Sequence, residues 1–221
     1  MLIALLLAVE AALKPYVKYD GTTGSIEPYT DIEIKRDIDR GIVPGPEIWL
    51  TGPYLEGDIP WTEQMHRLHG PAEFRRTVDY WADQGATSFK LYNFLTREEL
   101  AAAVDEAHKR GIKVTGHLCS VGFTEAARLG IDNLEHGLFV DTEFYSGKKP
   151  DVCNAREASQ ELAQMSPTDP RLAALIKELV QRKVAITSTL PVFAAFTEEG
   201  FRKALSPAVM EESVRGLVGI R

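Results

Sequence analysis

From about residue 46 onward, short apolar runs alternate with amphipathic ones, and this alternation narrows the folds open to the chain. "EIWLTGPY" (47–54) reads as a buried strand. "GPAEFRRTVDYWADQGA" (70–86) reads as a helix, with Phe74, Val78 and Trp81 at helical spacing and Gly85 as its stop. "TSFKLYNF" is the next strand. "TREELAAAVDEAHKRG" (96–111) is a helix with Thr96 as N-cap, Glu99 closing a capping box and Gly111 as stop. "IKVTGHLC" is a strand, "VGFTEAARLG" a short helix and "IDNLEHGLF" a strand. A polar excursion follows from Thr142 to about Pro170. "RLAALIKELVQRK" (171–183) is then a helix and "VAITSTLPVF" a strand.

Such alternation means parallel strands joined by helical crossovers. The strands are near-continuously apolar, as expected of a sheet covered on its faces. An open doubly wound sheet and a (β/α) barrel both fit. No G-x-G-x-x-G follows the first strand, so a dinucleotide-binding sheet has little support. Polar residues separate the two folds better. Thr51, Lys90, His117, His136 and Thr187 or Ser188 are expected near the C-terminal ends of their strands. In a barrel those ends form one mouth, where residues from several strands converge.

Composition excludes some partners. The formal net charge is −7 with no basic cluster, which argues against nucleic acid. The apolar start, "MLIALLLAVEAALKP", is too short to span a bilayer and Glu10 interrupts it. It reads as a helix packed on the body, with a signal peptide's apolar core as the alternative. A cytoplasmic location follows from the first reading, a secreted or periplasmic one from the second. Cys119 and Cys153 have no metal-type C-x-x-C spacing, and both read as free thiols, with a single disulfide as the alternative.

Lys90, His117 and His136 carry the chemistry. Two neutral imidazoles can bind a divalent metal through ring nitrogens. A plain ammonium has no lone pair to give. Lys90 therefore has to be neutral, form a Schiff base or be carboxylated by CO2 into a carbamate, an oxygen ligand. A metal held so would activate water and polarise a carbonyl, which suits amide hydrolysis.

"FKLY" with Lys90, "VTGHL" with His117 and "NLEHG" with His136 resemble the metal-dependent amidohydrolase superfamily, in its imidazolonepropionase-like or prolidase-like branch. "TTGSIEPYTDIEIKRDIDRG", "PGPEIWLTGPYLEG" and "AITSTLPVF" add to the resemblance, which covers roughly residues 21 to 200. It implies a (β/α)8 TIM barrel with one or two divalent metals, usually zinc. It also implies a carboxylated Lys90 as bridging ligand, with His117 and His136 ligating the second metal. The substrate would be a small molecule with a C–N bond: a dipeptide, an acyl-amino acid or a cyclic amide. Two features of the family pattern have no match. No His-x-His is found for the first strand, and no aspartate is found for the end of strand eight, which would serve as general base. The matched segments correspond to strands two through seven, so the barrel is expected to be incomplete. Residues 1–20 form a separate apolar segment and residues 21–221 the partial barrel domain. Its two open edges make a homo-oligomer an expectation.

Each residue also has a plainer reading. Lys90 would pair with Glu135 or Asp132. His117 and His136 would be hydrogen-bonded strand-end histidines. Tyr92 shares the face of Lys90 and either contacts substrate or packs in the barrel. Cys119 shares the face of His117. Glu135, one residue before His136, is expected on the opposite face, toward the helices. Asp141 would belong to a substrate lid. His108, near a helix C-terminus, reads as structural, and His66 and His69 as surface loop residues. Two non-hydrolytic readings remain. In one, Lys90 is the Schiff-base nucleophile of an aldolase-type lyase. In the other, the chain is a metal-binding module or barrel remnant without turnover.

Overall fold

The computed structural model describes residues 19–20, 28–59, 65 and 67–189. The apolar start and His66 lie outside the described residues. In order, the elements are β1 (Tyr19–Asp20), α1 (Pro28–Asp39), β2 (Ile48–Trp49), β3 (Thr51–Leu55), α2 (Gly70–Gln84) and β4 (Ser88–Leu91). They continue with α3 (Arg97–Lys109), β5 (Lys113–Gly116), α4 (Phe123–Arg128), β6 (Asn133–Glu135), a 3-10 turn (Gly137–Val140), α5 (Ala155–Gln164), α6 (Pro170–Arg182) and β7 (Ala185–Thr187). One compact unit ends at Ile186.

The sheet order is β3-β4-β5-β6-β7, each strand beside its successor in the chain. The pairs β3–β4, β4–β5 and β5–β6 are parallel. A parallel neighbour requires a crossover, and α2, α3 and α4 supply the first three. β1 and β2 form a separate parallel pair. "EIWLTGPY", expected as one strand, is thus divided. Ile48–Trp49 pairs with β1, and Thr51 opens β3 instead of ending it. Thr51 accordingly sits away from the mouth, with Oγ1 2.7 Å from Ser88 Oγ.

Register sorts the side chains onto two faces. Phe89 pairs with Val114, and Leu91 with Gly116, which in turn pairs with Leu134. Phe89, Leu91, Val114 and Leu134 join the core built by Phe74, Val78 and Trp81 of α2 and Leu100, Ala103 and Ala107 of α3. Tyr54, Lys90, Thr115 and Asn133 are register partners in turn on the other face. Alternation adds Tyr92, His117 and Glu135 to them.

The helices end as their sequences direct. The Thr96 hydroxyl accepts from the Glu99 N–H at 3.2 Å, and the Glu99 carboxylate accepts from the Thr96 N–H at 2.7 Å. The second Glu99 oxygen accepts from Gly70 N at 2.8 Å, which ties α3 to the start of α2. Gly85 takes the left-handed conformation that ends α2, with φ 105°.

The polar excursion is ordered and contains α5. It is strapped to the end of β5. Thr142 Oγ1 donates to the Cys119 carbonyl at 2.6 Å, and Lys148 Nζ donates to the Ser120 carbonyl at 2.7 Å. Cys119 and Cys153 form a disulfide, which corrects the reading of both as free thiols. They are 34 positions apart, and the strap brings their Cα atoms to 4.9 Å. Among the described residues no helix is long and apolar enough to cross a membrane.

Candidate functional site

Four strands deliver one row of rings to the C-terminal end of the sheet. Tyr54 from β3 lies 5.2 Å from Tyr92, just beyond β4. Tyr92 lies 4.9 Å from His117, just beyond β5, and His117 lies 4.4 Å from His136, just beyond β6, all between ring centroids. The residues singled out from sequence, Lys90, Tyr92, His117 and His136, are thus brought together. Tyr54 was not singled out; it closes the apolar run "EIWLTGPY" and pairs in register with Lys90.

Beneath the rings lies a buried ion pair. Lys90 Nζ donates to Glu135 Oε2, and both side chains are 5% exposed. Thr115 Oγ1 donates to Glu135 Oε1 at 3.0 Å, and Asn133 Nδ2 donates to Thr115 Oγ1 at 2.7 Å. Lys90 Nζ also stands 5.4 Å from the Tyr54 ring centroid. Glu135 therefore faces the mouth and not the helices, which corrects the expectation. The reason is local. Glu135 is the last residue of β6, and the pleat puts it on the face of Asn133 and Thr115. His136 then leaves the strand with φ 68°, so alternation no longer applies to it. The turn carries its ring back beside His117, with Nε2 3.8 Å from Glu135 Oε2.

Both histidines are held neutral. Burial lowers the His117 pKa to about 4, with His136 and Lys90 adding to the effect. Burial and then Lys90 lower that of His136, against the opposing charge of Glu135. Burial first, and then neighbouring Tyr92 and Glu135, raise that of Tyr54. His117 Nδ1 is buried without a hydrogen-bond partner. A neutral imidazole with an unspent nitrogen suits a divalent metal, and the two histidines fit such an ion. Lys90 fits less well as a carbamate, because its nitrogen is already paired with Glu135. Among the described residues, no group of three or more His, Cys, Asp or Glu side chains could hold a metal ion.

The remaining candidates lie apart from this row. His69 bonds Asp58 at 2.7 Å and is largely exposed. His108 Nε2 lies 2.9 Å from Asp132 Oδ2, a structural contact between α3 and the approach to β6. Asp141 is buried, and its Oδ1 accepts from Glu143 N at 3.1 Å and Phe123 N at 3.3 Å. It thus helps anchor the strap at the start of α4.

No protein-family model matches the chain, and neither does any curated protein sequence. Solved structures do match its fold. The chain is similar to an uncharacterized protein of known structure, with TM-score 0.52 and 20% identity over 79% of this chain and 43% of that one. It is similar to an amidohydrolase, with TM-score 0.51 and 18% identity over 79% of this chain and 44% of that one. A prolidase complexed with N-methylphosphonate-L-proline matches with the same TM-score, identity and coverage. The fold is therefore that of the amidohydrolase barrels. The chain spans less than half the length of these structures.

Proposed function

We propose that the chain carries the metal-binding mouth of a hydrolase acting on C–N bonds, with a dipeptide, an acyl-amino acid or a cyclic amide as substrate. The observation that carries this reading is the side-by-side placement of two neutral imidazoles, His117 and His136, at the strand ends of an amidohydrolase-type sheet. These two residues would hold a divalent ion, zinc by its preference for imidazole. Such an ion supplies Lewis acidity toward a carbonyl and lowers the pKa of water. The chain's own residues form the surroundings. Tyr54 and Tyr92 wall the mouth and offer rings and hydroxyls to a small substrate. The Lys90–Glu135 pair lies beneath them and fixes the charge there. No residue in the row is assigned as general base.

The test is metal content per chain by elemental mass spectrometry, together with hydrolysis of a panel of dipeptides, acyl-amino acids and cyclic amides. About one ion per chain, lost in His117→Ala/His136→Ala, with metal-dependent hydrolysis, is the expected result. Absence of metal from both proteins would sink the reading. Metal uptake without hydrolysis would favour the second reading, a binding module without turnover. The Schiff-base reading needs an unpaired amine at Lys90, and the ion pair with Glu135 speaks against it. Borohydride trapping of a carbonyl compound on Lys90 would revive it.

A further inference from the structure

We infer that the Cys119–Cys153 disulfide is a redox latch on the mouth. Closed, it lets the polar excursion pin the backbone that presents His117. Reduction by a dithiol opens it and loosens that backbone.

The backbone in question is strained. Leu118, directly after His117, takes the left-handed conformation with φ 56°. A leucine keeps this conformation only where its surroundings impose it. Core packing of the Leu118 side chain imposes part of it. So do bonds to the neighbouring strand end: His117 N donates to the Leu91 carbonyl at 3.0 Å, Leu118 N to that of Tyr92 at 3.0 Å and Ser120 N to that of Asn93 at 2.9 Å. The excursion adds its own holds on the next residue. Thr142 Oγ1 and Lys148 Nζ both donate to the Cys119 carbonyl, at 2.6 Å and 3.1 Å, and Cys153 is bonded covalently to Cys119. Beside Cys153, Asp151 accepts from Arg97 N at 2.9 Å and from Arg97 Nε at 3.0 Å. Of these holds only the disulfide does not open and reclose thermally.

The exchange has a defined direction. Cys119 is buried, and Cys153 is the more exposed of the two. The thiolate of a dithiol therefore attacks the Cys153 sulfur. A new S–S bond forms, the old one breaks, and Cys119 leaves as a thiolate that takes up a proton. The second thiol of the reagent then displaces Cys153 and closes the reagent's own disulfide, so the protein is reduced and the dithiol oxidised. The polar holds survive, and the strap opens more often instead of unfolding.

The bearing on the proposed hydrolase rests on His117 as a metal ligand. The test uses neither metal nor substrate, so either idea can fail while the other stands. Amide hydrogen exchange and histidine ring NMR signals of the native chain are recorded oxidised, after reduction with dithiothreitol, and after reoxidation. Reduction is expected to speed exchange at residues 118–120 and 142–153 by about tenfold to several hundredfold, the upper end being the loop-closure effect across 34 positions. The His117 ring signals, assigned with His117→Ala, should shift or broaden and return on reoxidation, while those of His108 on α3 stay unchanged. Cys119→Ser/Cys153→Ser should show the reduced pattern and ignore the dithiol. A strap that loosens without any change at His117 would overturn the inference. So would loss of protection throughout α3, which is global unfolding and not a latch, or two thiols that alkylate in the oxidised chain. Should the double variant not fold, the reversible cycle of the native chain alone decides.

Discussion

The buried charge of Lys90 is compensated almost wholly by one residue, which makes its removal costly. Replacing one partner of a buried pair leaves the other charge uncompensated, at about 3–5 kcal/mol. Lys90→Met should therefore lower the urea-unfolding free energy by about that amount. Lys90→Met/Glu135→Gln should recover much of it, since no bare charge remains. Asp141 supplies a pH signature. Burial, with Glu143 adding, pushes its carboxyl up to about 8. Its unfolded carboxyl ionises near 4. Between about 4 and about 8 the unfolded chain releases a proton that the folded chain keeps, so this residue's contribution to stability falls as pH rises. Asp141→Asn keeps an acceptor for the Phe123 and Glu143 N–H groups and removes the titration. Its melting temperature relative to the native chain should rise steadily across that window.

At the scale of elements, the turn after β3 is held by a carboxylate serving as a backbone clamp. Glu56 is fully buried and accepts from Gly57 N at 2.9 Å, Phe94 N at 2.6 Å and Asn93 N at 3.1 Å. Burial raises its pKa, and these three N–H groups oppose the rise. The clamp draws the β3 and β4 ends together and so positions Tyr54 beside Tyr92. It also leaves no room at Gly57, where a Cβ would meet the Phe94 carbonyl oxygen. Gly57→Ala should cost about 1–3 kcal/mol in chemical denaturation, the usual penalty for overpacking. The disturbance should reach Tyr54 and Tyr92, visible as altered tyrosine signals in near-UV circular dichroism.

At the scale of the whole molecule, the disulfide ties a long excursion to the strand end that carries His117. Closing a loop across 34 positions constrains the unfolded chain by about 4 kcal/mol on the loop-entropy relation. Cys119→Ser/Cys153→Ser should lower stability by up to that amount. Non-reducing and reducing mass spectrometry of the native chain, after alkylation, should differ by two modified thiols.

Much of this molecule can be read from local pattern. The alternation of apolar and amphipathic runs marks the parallel sheet, and α2, α3 and α6 fall within a few residues of the helices it predicts. Thr96, Glu99 and Gly85 are legible because capping depends on neighbours within one turn. Lys90, Tyr92, His117 and His136 can be grouped in advance because parallel strands in sequence order bring their ends together. The sequence by itself determined these features, since each rests on periodicity or on contacts a few residues apart. Tertiary structure decided the others. It divided one apolar run between two strand pairings, turned His136 out of β6 and so set Glu135 on Lys90, and folded the excursion back until Cys153 met Cys119. Those outcomes depend on residues tens of positions apart competing for the same buried space and the same hydrogen bonds, and no local pattern records that competition.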